Sequence, residues 1–172
     1  IPQVVGALRD KGMWENSIFI FTTDNGGNLG GSGNNAPLRG GKFTFWQGGV
    51  RGLSFIASPL IPAGRAGATW NGLAHAADWY TTIADIAKID PADNTGRLPP
   101  DGVALWDAMV LNKTSPRTEL VINIDAQSGF SSLRQGRWKL VDGYPGSGNE
   151  AWDGWVPLPS GDEDAGEAWV TD

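Results

Sequence analysis

Apolar and polar positions follow a helical rhythm at the start of the chain, with Val4, Val5 and Leu8 apolar and Arg9, Asp10 and Lys11 polar. The spacing predicts an amphipathic helix that stops near Lys11-Gly12, glycine being a usual helix terminator. A continuous apolar run follows, Ser17-Ile18-Phe19-Ile20-Phe21-Thr22-Thr23. It predicts a strand covered on both faces within a parallel or mixed sheet. The run ends at Asp24-Asn25-Gly26-Gly27, and from there to Gly41 the chain is mostly Gly, Asn, Ser and Pro. Such a long irregular loop in a compact domain is usually functional or disordered. Leu53 to Ala57 predicts a second strand, Pro59 to Thr69 a loop, and Asp78 to Lys88 a helix with Asp78 near its start. Asp90 to Asp101 reads as another loop, and Trp106 to Leu111 as a short helix.

The pattern then shortens. Glu119–Ile124, Ser131–Arg134 and Trp138–Val141 are brief β-rich runs with close turns between them, which predicts an antiparallel meander. From Gly143 the chain is Gly, Pro, Trp and acidic residues without a period. Trp152, Trp155 and Trp169 lie there, and each needs another surface to cover it. Strand and helix first, short strands later, predicts the end of an α/β domain over 1–112 and a smaller β-rich subdomain over 113–172. The first residue is Ile1 rather than a start methionine, no signal peptide follows, and the chain opens inside a helix. It therefore reads as a fragment.

Composition narrows the chemistry. The net charge of −6 leaves no basic stripe for phosphates, so no nucleic-acid partner is expected. No apolar run is long enough to span a membrane. The absence of cysteine excludes disulfides, thiol catalysis and thiolate-bound zinc. Asn112-Lys113-Thr114 is an N-glycosylation sequon, relevant in a secreted protein.

The sharpest chemical feature is Asp24-Asn25 at a strand end. Ligands of open α/β sheets collect beyond the carboxyl ends of strands. Asp and Asn offer the oxygen ligands that hard cations take, although two ligands do not complete a site. The same tetrapeptide is also favoured as a turn for its backbone alone. His75 is the single histidine and reads as structural.

Three blocks carry a resemblance: Thr23-Asp24-Asn25-Gly26-Gly27, then Asn34 to Lys42 (Asn-Asn-Ala-Pro-Leu-Arg-Gly-Gly-Lys), then Trp46 to Gly52 (Trp-Gln-Gly-Gly-Val-Arg-Gly). It continues through Ala57 to Leu60, His75 to Thr82, Asp101-Gly102, Ser115 to Arg117, Asn123 to Asp125, Arg137 to Leu140 and Gly143 to Gly146. In order and spacing these resemble the type I sulfatases, within them most the arylsulfatase B group. The resemblance implies the end of an alkaline-phosphatase-like α/β domain followed by a smaller antiparallel β-rich subdomain. It implies hydrolysis of a sulfate ester, of an aryl alcohol or a sugar, by a formylglycine nucleophile with a calcium ion. Asp24 and Asn25 match two of the cation's ligands, and Lys42 matches the lysine that reaches the sulfate. Arg39 and Arg51 are expected to brace the loop. It also implies a secreted, extracellular or lysosome-like setting.

Two departures stand out: Gln47 replaces the family's usual Glu, and Thr81 stands where a proline is usual. The formylglycine motif (Cys or Ser-X-Pro-X-Arg) does not occur, since Ser115-Pro116-Arg117 lacks the spacing. The adjacent-Asp metal pair and the other sulfate-binding Lys and His residues are also missing. The expectation is that these lie upstream, in an N-terminal portion of the same protein. The other readings are a sulfatase-like structural or binding subunit without chemistry, and a metal-dependent phosphodiesterase of the same superfamily. The latter would need Asp and His ligands, which the single histidine does not supply. Asp24, Asn25 and Lys42 together favour the enzyme.

Overall fold

In a computed structural model, residues 1–92 and 98–146 are described. The expected loop at 90–101 falls partly outside them, and Trp152, Trp155 and Trp169 wholly outside. The chain forms two compact units, one from Ile1–Phe19 and Ala57–Thr118, the other from Ile20–Ile56 and the segment beginning at Glu119.

The first unit opens with helix α1 (Pro2–Asp10). Proline in the first turn costs nothing, because that N–H has no intrahelical acceptor. The helix packs on a 3-10 turn, Trp14–Asn16, with the Arg9 guanidinium 5.5 Å from the Trp14 ring centroid. None of its residues is fully buried. The better-covered part is helix α3 (Asp78–Ala87) against helix α4 (Trp106–Val110). Ala84, Leu105, Ala108 and Val110 are buried there. Thr82 Oγ1 accepts the Leu105 N–H at 3.0 Å and so sets the start of α4. Thr81, in the family's proline position, donates its hydroxyl to the Asp78 carbonyl at 3.1 Å. That local bond ties down the first turn in place of a rigid ring.

Strands β1 (Phe19–Thr22) and β2 (Ser54–Ala57) pair as a two-stranded sheet. Thr23 N donates to Leu53 O at 2.9 Å, Phe21 stacks on Phe55 at 5.1 Å, and Ser58 Oγ donates to Ser17 O at 2.7 Å. As one segment advances its partner recedes, so the pair is antiparallel, a sense that the expected sheet allows if mixed but not if parallel. Among the described residues the expected cover on both faces is not found, and Phe21 is 38% exposed. A strand with one neighbour, paired antiparallel, tolerates a solvated face.

The second sheet is the predicted meander, β3 (Glu119–Asp125), β4 (Phe130–Gln135) and β5 (Trp138–Asp142), each antiparallel to the next. The Asp125 carboxylate accepts the N–H groups of Gln127 and Ser128, both at 3.0 Å, and so caps the first turn. A register shift between Val121 and Asn123 bends β3. One face carries Ser132, Lys139 and Val141, all buried. The other carries Val121, Leu133 and Leu140 in register across the three strands, all exposed.

Candidate active site

Beyond β1 the second unit folds its glycine-rich loop into a fixed object. Asn35 does most of this. Its Oδ1 accepts the Gly27 N–H at 2.8 Å, while its Nδ2 donates to the carbonyls of Gly27 (2.8 Å) and Gly40 (3.1 Å). One side chain thereby imitates a paired strand for Gly27. The Gly27 carbonyl also accepts the Lys42 N–H at 3.0 Å. Lys42 is thus pinned to the Asp24-Asn25 turn, although the residues lie well apart in sequence.

A second tie comes from the one-turn helix α2 (Gln47–Val50), which the apolar pattern does not predict. Gly26 N donates to Gly49 O at 2.9 Å, and Gly48 N to Arg39 O at 2.7 Å. Two backbones approach closely here. A Cβ on Gly26 would lie 1.7 Å from the Gly48 carbonyl oxygen, so no other residue fits without movement. Gln47 is buried at the start of α2, where a carboxylate would need a partner to offset its desolvation. Arg39 lays its guanidinium 3.9 Å from the Trp46 ring centroid, a contact with an aromatic face rather than the carbonyl or carboxylate contacts expected of it. Arg51 is exposed.

The stretch after Lys42 is anchored to the meander. Phe45 N donates to Pro145 O at 2.7 Å, Thr44 bridges Gly146, and the buried Lys139 donates its ammonium to the Phe45 carbonyl. A cavity of about 560 Å³ lies alongside, lined by Asn25, Lys42, Phe43, Phe45, Asn123, Phe130 and Tyr144, among others.

Asn25 and Lys42 therefore share one cavity, and Asp24 is not among its lining residues. Asp24 is exposed, and its Oδ1 accepts the Asn25 N–H at 2.9 Å. The Asn25 Nδ2 donates to the Gly26 carbonyl at 2.7 Å, which fixes the amide and leaves its oxygen as the acceptor end. Among the described residues, no three His, Cys, Asp or Glu side chains cluster as a metal site.

The first unit holds a polar cluster that the sequence reading missed. Asp78 is 1% exposed. Its carboxylate accepts Arg117 Nε at 2.8 Å and Nη2 at 2.6 Å, His75 N at 2.7 Å and Val103 N at 2.9 Å. Burial pushes its pKa up, but the Arg117 hydrogen bonds, the two backbone N–H groups and the Arg117 charge outweigh this and hold it below the ordinary value. His75 is exposed, and its Nδ1 accepts the Ala77 N–H at 3.3 Å, a local structural role. Asn112 is exposed with φ 55°, just past the end of α4. Asparagine is tolerated in that left-handed position where a helix stops.

The Sulfatase family model matches residues 1–89. Arylsulfatase J of Mus musculus is 35% identical over 91% of this chain and 28% of its own length. The N-acetylgalactosamine-6-sulfatase of Sus scrofa is 31% identical over 68% of this chain and 22% of its own. Among solved structures, Ps i-CgsB in complex with k-i-k-neocarrahexaose superposes with a TM-score of 0.67 at 26% identity, over 81% of this chain and 30% of that one. The PsFucS1 sulfatase from Pseudoalteromonas sp. gives a TM-score of 0.59 at 29% identity, over 80% of this chain and 27% of that one. The chain belongs to the sulfatase family, and its fold is the α/β architecture with a C-terminal antiparallel β portion. It spans less than a third of the length of these relatives.

Proposed function

We propose that this chain is part of a sulfate-ester hydrolase and supplies one wall of its active site. The observation that carries the reading is the hydrogen bond from Lys42 N to Gly27 O, with Asn25 and Lys42 lining one cavity. It ties an ammonium-bearing loop to a turn that carries a carboxylate and an amide oxygen. On this reading residues 1–112 belong to the catalytic α/β domain and 113–172 to the β-rich subdomain.

Asp24 and Asn25 are of the right kind for calcium, both being hard oxygen donors on one turn. Among the described residues no three His, Cys, Asp or Glu side chains gather there, so on this reading the remaining ligands come from outside them. When bound, calcium supplies Lewis-acid polarisation of the sulfate, and a formylglycine elsewhere in the protein supplies the nucleophile. Lys42 contributes fixed positive charge where negative charge grows on the sulfate oxygens. Asn35 holds Gly27, whose carbonyl accepts the Lys42 N–H, so the backbone that carries this charge is fixed before the ester binds.

The substrate is a sulfate ester of an aryl alcohol or a sugar, and names such as N-acetylgalactosamine-6-sulfatase among the relatives favour a sugar. A secreted or lysosome-like setting fits the family, with Asn112 exposed for glycosylation. No helix among the described residues is long and apolar enough to cross a membrane.

The test is made in the active sulfatase that contains this chain. Asp24→Ala should lose calcium affinity by titration calorimetry and nearly all turnover. Lys42→Ala should bind calcium normally and turn over more slowly. Unchanged calcium binding in Asp24→Ala would refute the ligand role.

A further inference from the structure

Phe43 is a conformational exception with no evident structural reward. Its φ is +79°, in the left-handed region that bulky side chains avoid, yet its side chain is 61% exposed. An exposed ring recovers little burial energy to offset such a backbone. The strain is held from both sides. Lys42 N is bonded to Gly27 O, Thr44 N and Oγ1 both to Gly41 O, and Phe45 N to Pro145 O. Backbone strain of this sort, over-determined by its surroundings, gathers at ligand clamps.

The ring lines the same cavity as Lys42, whose ammonium is 5.5 Å from the Phe43 ring centroid. Tyr144, 48% exposed, lines it as well, and Asn123 adds an amide group. Two exposed aromatic rings, an amide and one cation suit a ring with apolar C–H faces, hydroxyl edges and one anionic substituent. That is a sulfated sugar, and the cation complements its charge. A flat aryl sulfate would leave the Asn123 amide without a partner.

We propose that Phe43 and Tyr144 form the subsite that holds the sugar ring of a sulfated saccharide while Lys42 takes its sulfate. The proposal rests on the reading of Lys42 given above and goes further in assigning the ring-holding residues. The strained φ at Phe43 is the cost of turning its ring toward the ligand.

The experiment uses the active sulfatase containing this chain, with a sulfated monosaccharide, a nitrophenyl sulfate and inorganic sulfate as inhibitor. Phe43→Gly removes the ring and also relieves the backbone, so its Tm should hold or rise. Its KM for the sulfated sugar should rise roughly threefold to tenfold, the worth of one aromatic contact. Inhibition by inorganic sulfate should be unchanged. Tyr144→Phe should keep most of the affinity, and Tyr144→Ala should lose it like Phe43→Gly. An unchanged KM for the sugar in Phe43→Gly and Tyr144→Ala, or a fall in Tm for Phe43→Gly, would overturn the subsite. An equal rise in KM with nitrophenyl sulfate would overturn the assignment to sugars. Lys42→Ala is the separate control. If it leaves inhibition by inorganic sulfate intact, the reading of Lys42 fails, whatever the ring variants do.

Discussion

Asp78 shows how a single residue organises its surroundings. Its carboxylate gathers Arg117, the Val103 N–H and the His75 N–H around one buried point, so three separated segments of the first unit meet there. Asp78→Asn keeps the shape and removes the charge that faces the largely buried Arg117 side chain. The expected loss is about 3–5 kcal/mol, the usual cost of breaking a buried pair, read by denaturant melts. The pH dependence follows from the lowered pKa of Asp78. A depressed carboxylate contributes stability above its unfolded pKa of about 3.9, and that contribution is lost as pH falls through the lower folded value. Wild type should therefore lose an increment of stability on acidification below about pH 4 that Asp78→Asn does not lose. Gly26 is the second critical residue. Gly26→Ala places a methyl against the Gly48 carbonyl and must push α2 away from the turn. It should cost about 1–3 kcal/mol and slow turnover with the fold retained, checked by melting and by assay of the active sulfatase.

At the scale of elements, the glycine-rich stretch from Gly26 to Gly41 behaves as a built loop. The asparagine at 35 makes three bonds to backbone, and α2 contributes two more through Gly48 and Gly49. Asn35→Ala should leave the Gly27 N–H without its acceptor and cost about 1–3 kcal/mol. Hydrogen exchange should show the loss as faster exchange at Gly27 and Lys42, with the β3–β5 amides unaffected. Uniform protection in the variant would mean that α2 alone holds the loop. The element borders follow the apolar pattern closely. The helix expected from Asp78 to Lys88 spans Asp78–Ala87, and the three runs expected as a meander pair as β3, β4 and β5. Nothing periodic marks α2, because a four-residue helix of Gln, Gly, Gly and Val has no apolar stripe to recognise.

At the scale of the whole chain, what matters is how much of a catalytic set it holds. Calcium takes six to eight oxygens, and on the proposed reading Asp24 and Asn25 supply two of its ligands. No formylglycine motif occurs in the sequence. The 172 residues alone, assayed with a chromogenic aryl sulfate and calcium, should give no turnover above the buffer rate and only weak calcium binding. Turnover in a preparation free of contaminating sulfatase would mean that the chain carries a complete catalytic apparatus. The exposed Val121–Leu133–Leu140 face and the exposed Phe21 should also make the isolated chain prone to associate. Lysine at Leu133 should reduce light scattering if that face is responsible.

The sequence by itself determined the local elements and the family. Apolar periodicity depends on neighbours within a few residues, so α1, α3, α4 and the meander were legible from it. The blocks around Asp24-Asn25, Lys42 and Gln47 pointed to the sulfatase family, which the comparisons bear out. Only the tertiary structure decided how the pieces meet. The sense of the β1–β2 pair depends on a chain reversal across more than thirty residues, which a run of apolar side chains does not encode. The Asp78–Arg117 pair joins residues 39 apart, and the Lys139–Phe45 contact residues 94 apart. Neither has a local signature, since a buried charge and a surface charge are the same letter in a sequence. Phe43 is the same case for the backbone: its left-handed φ comes from bonds on both sides closing at once, a condition that exists only in the folded chain.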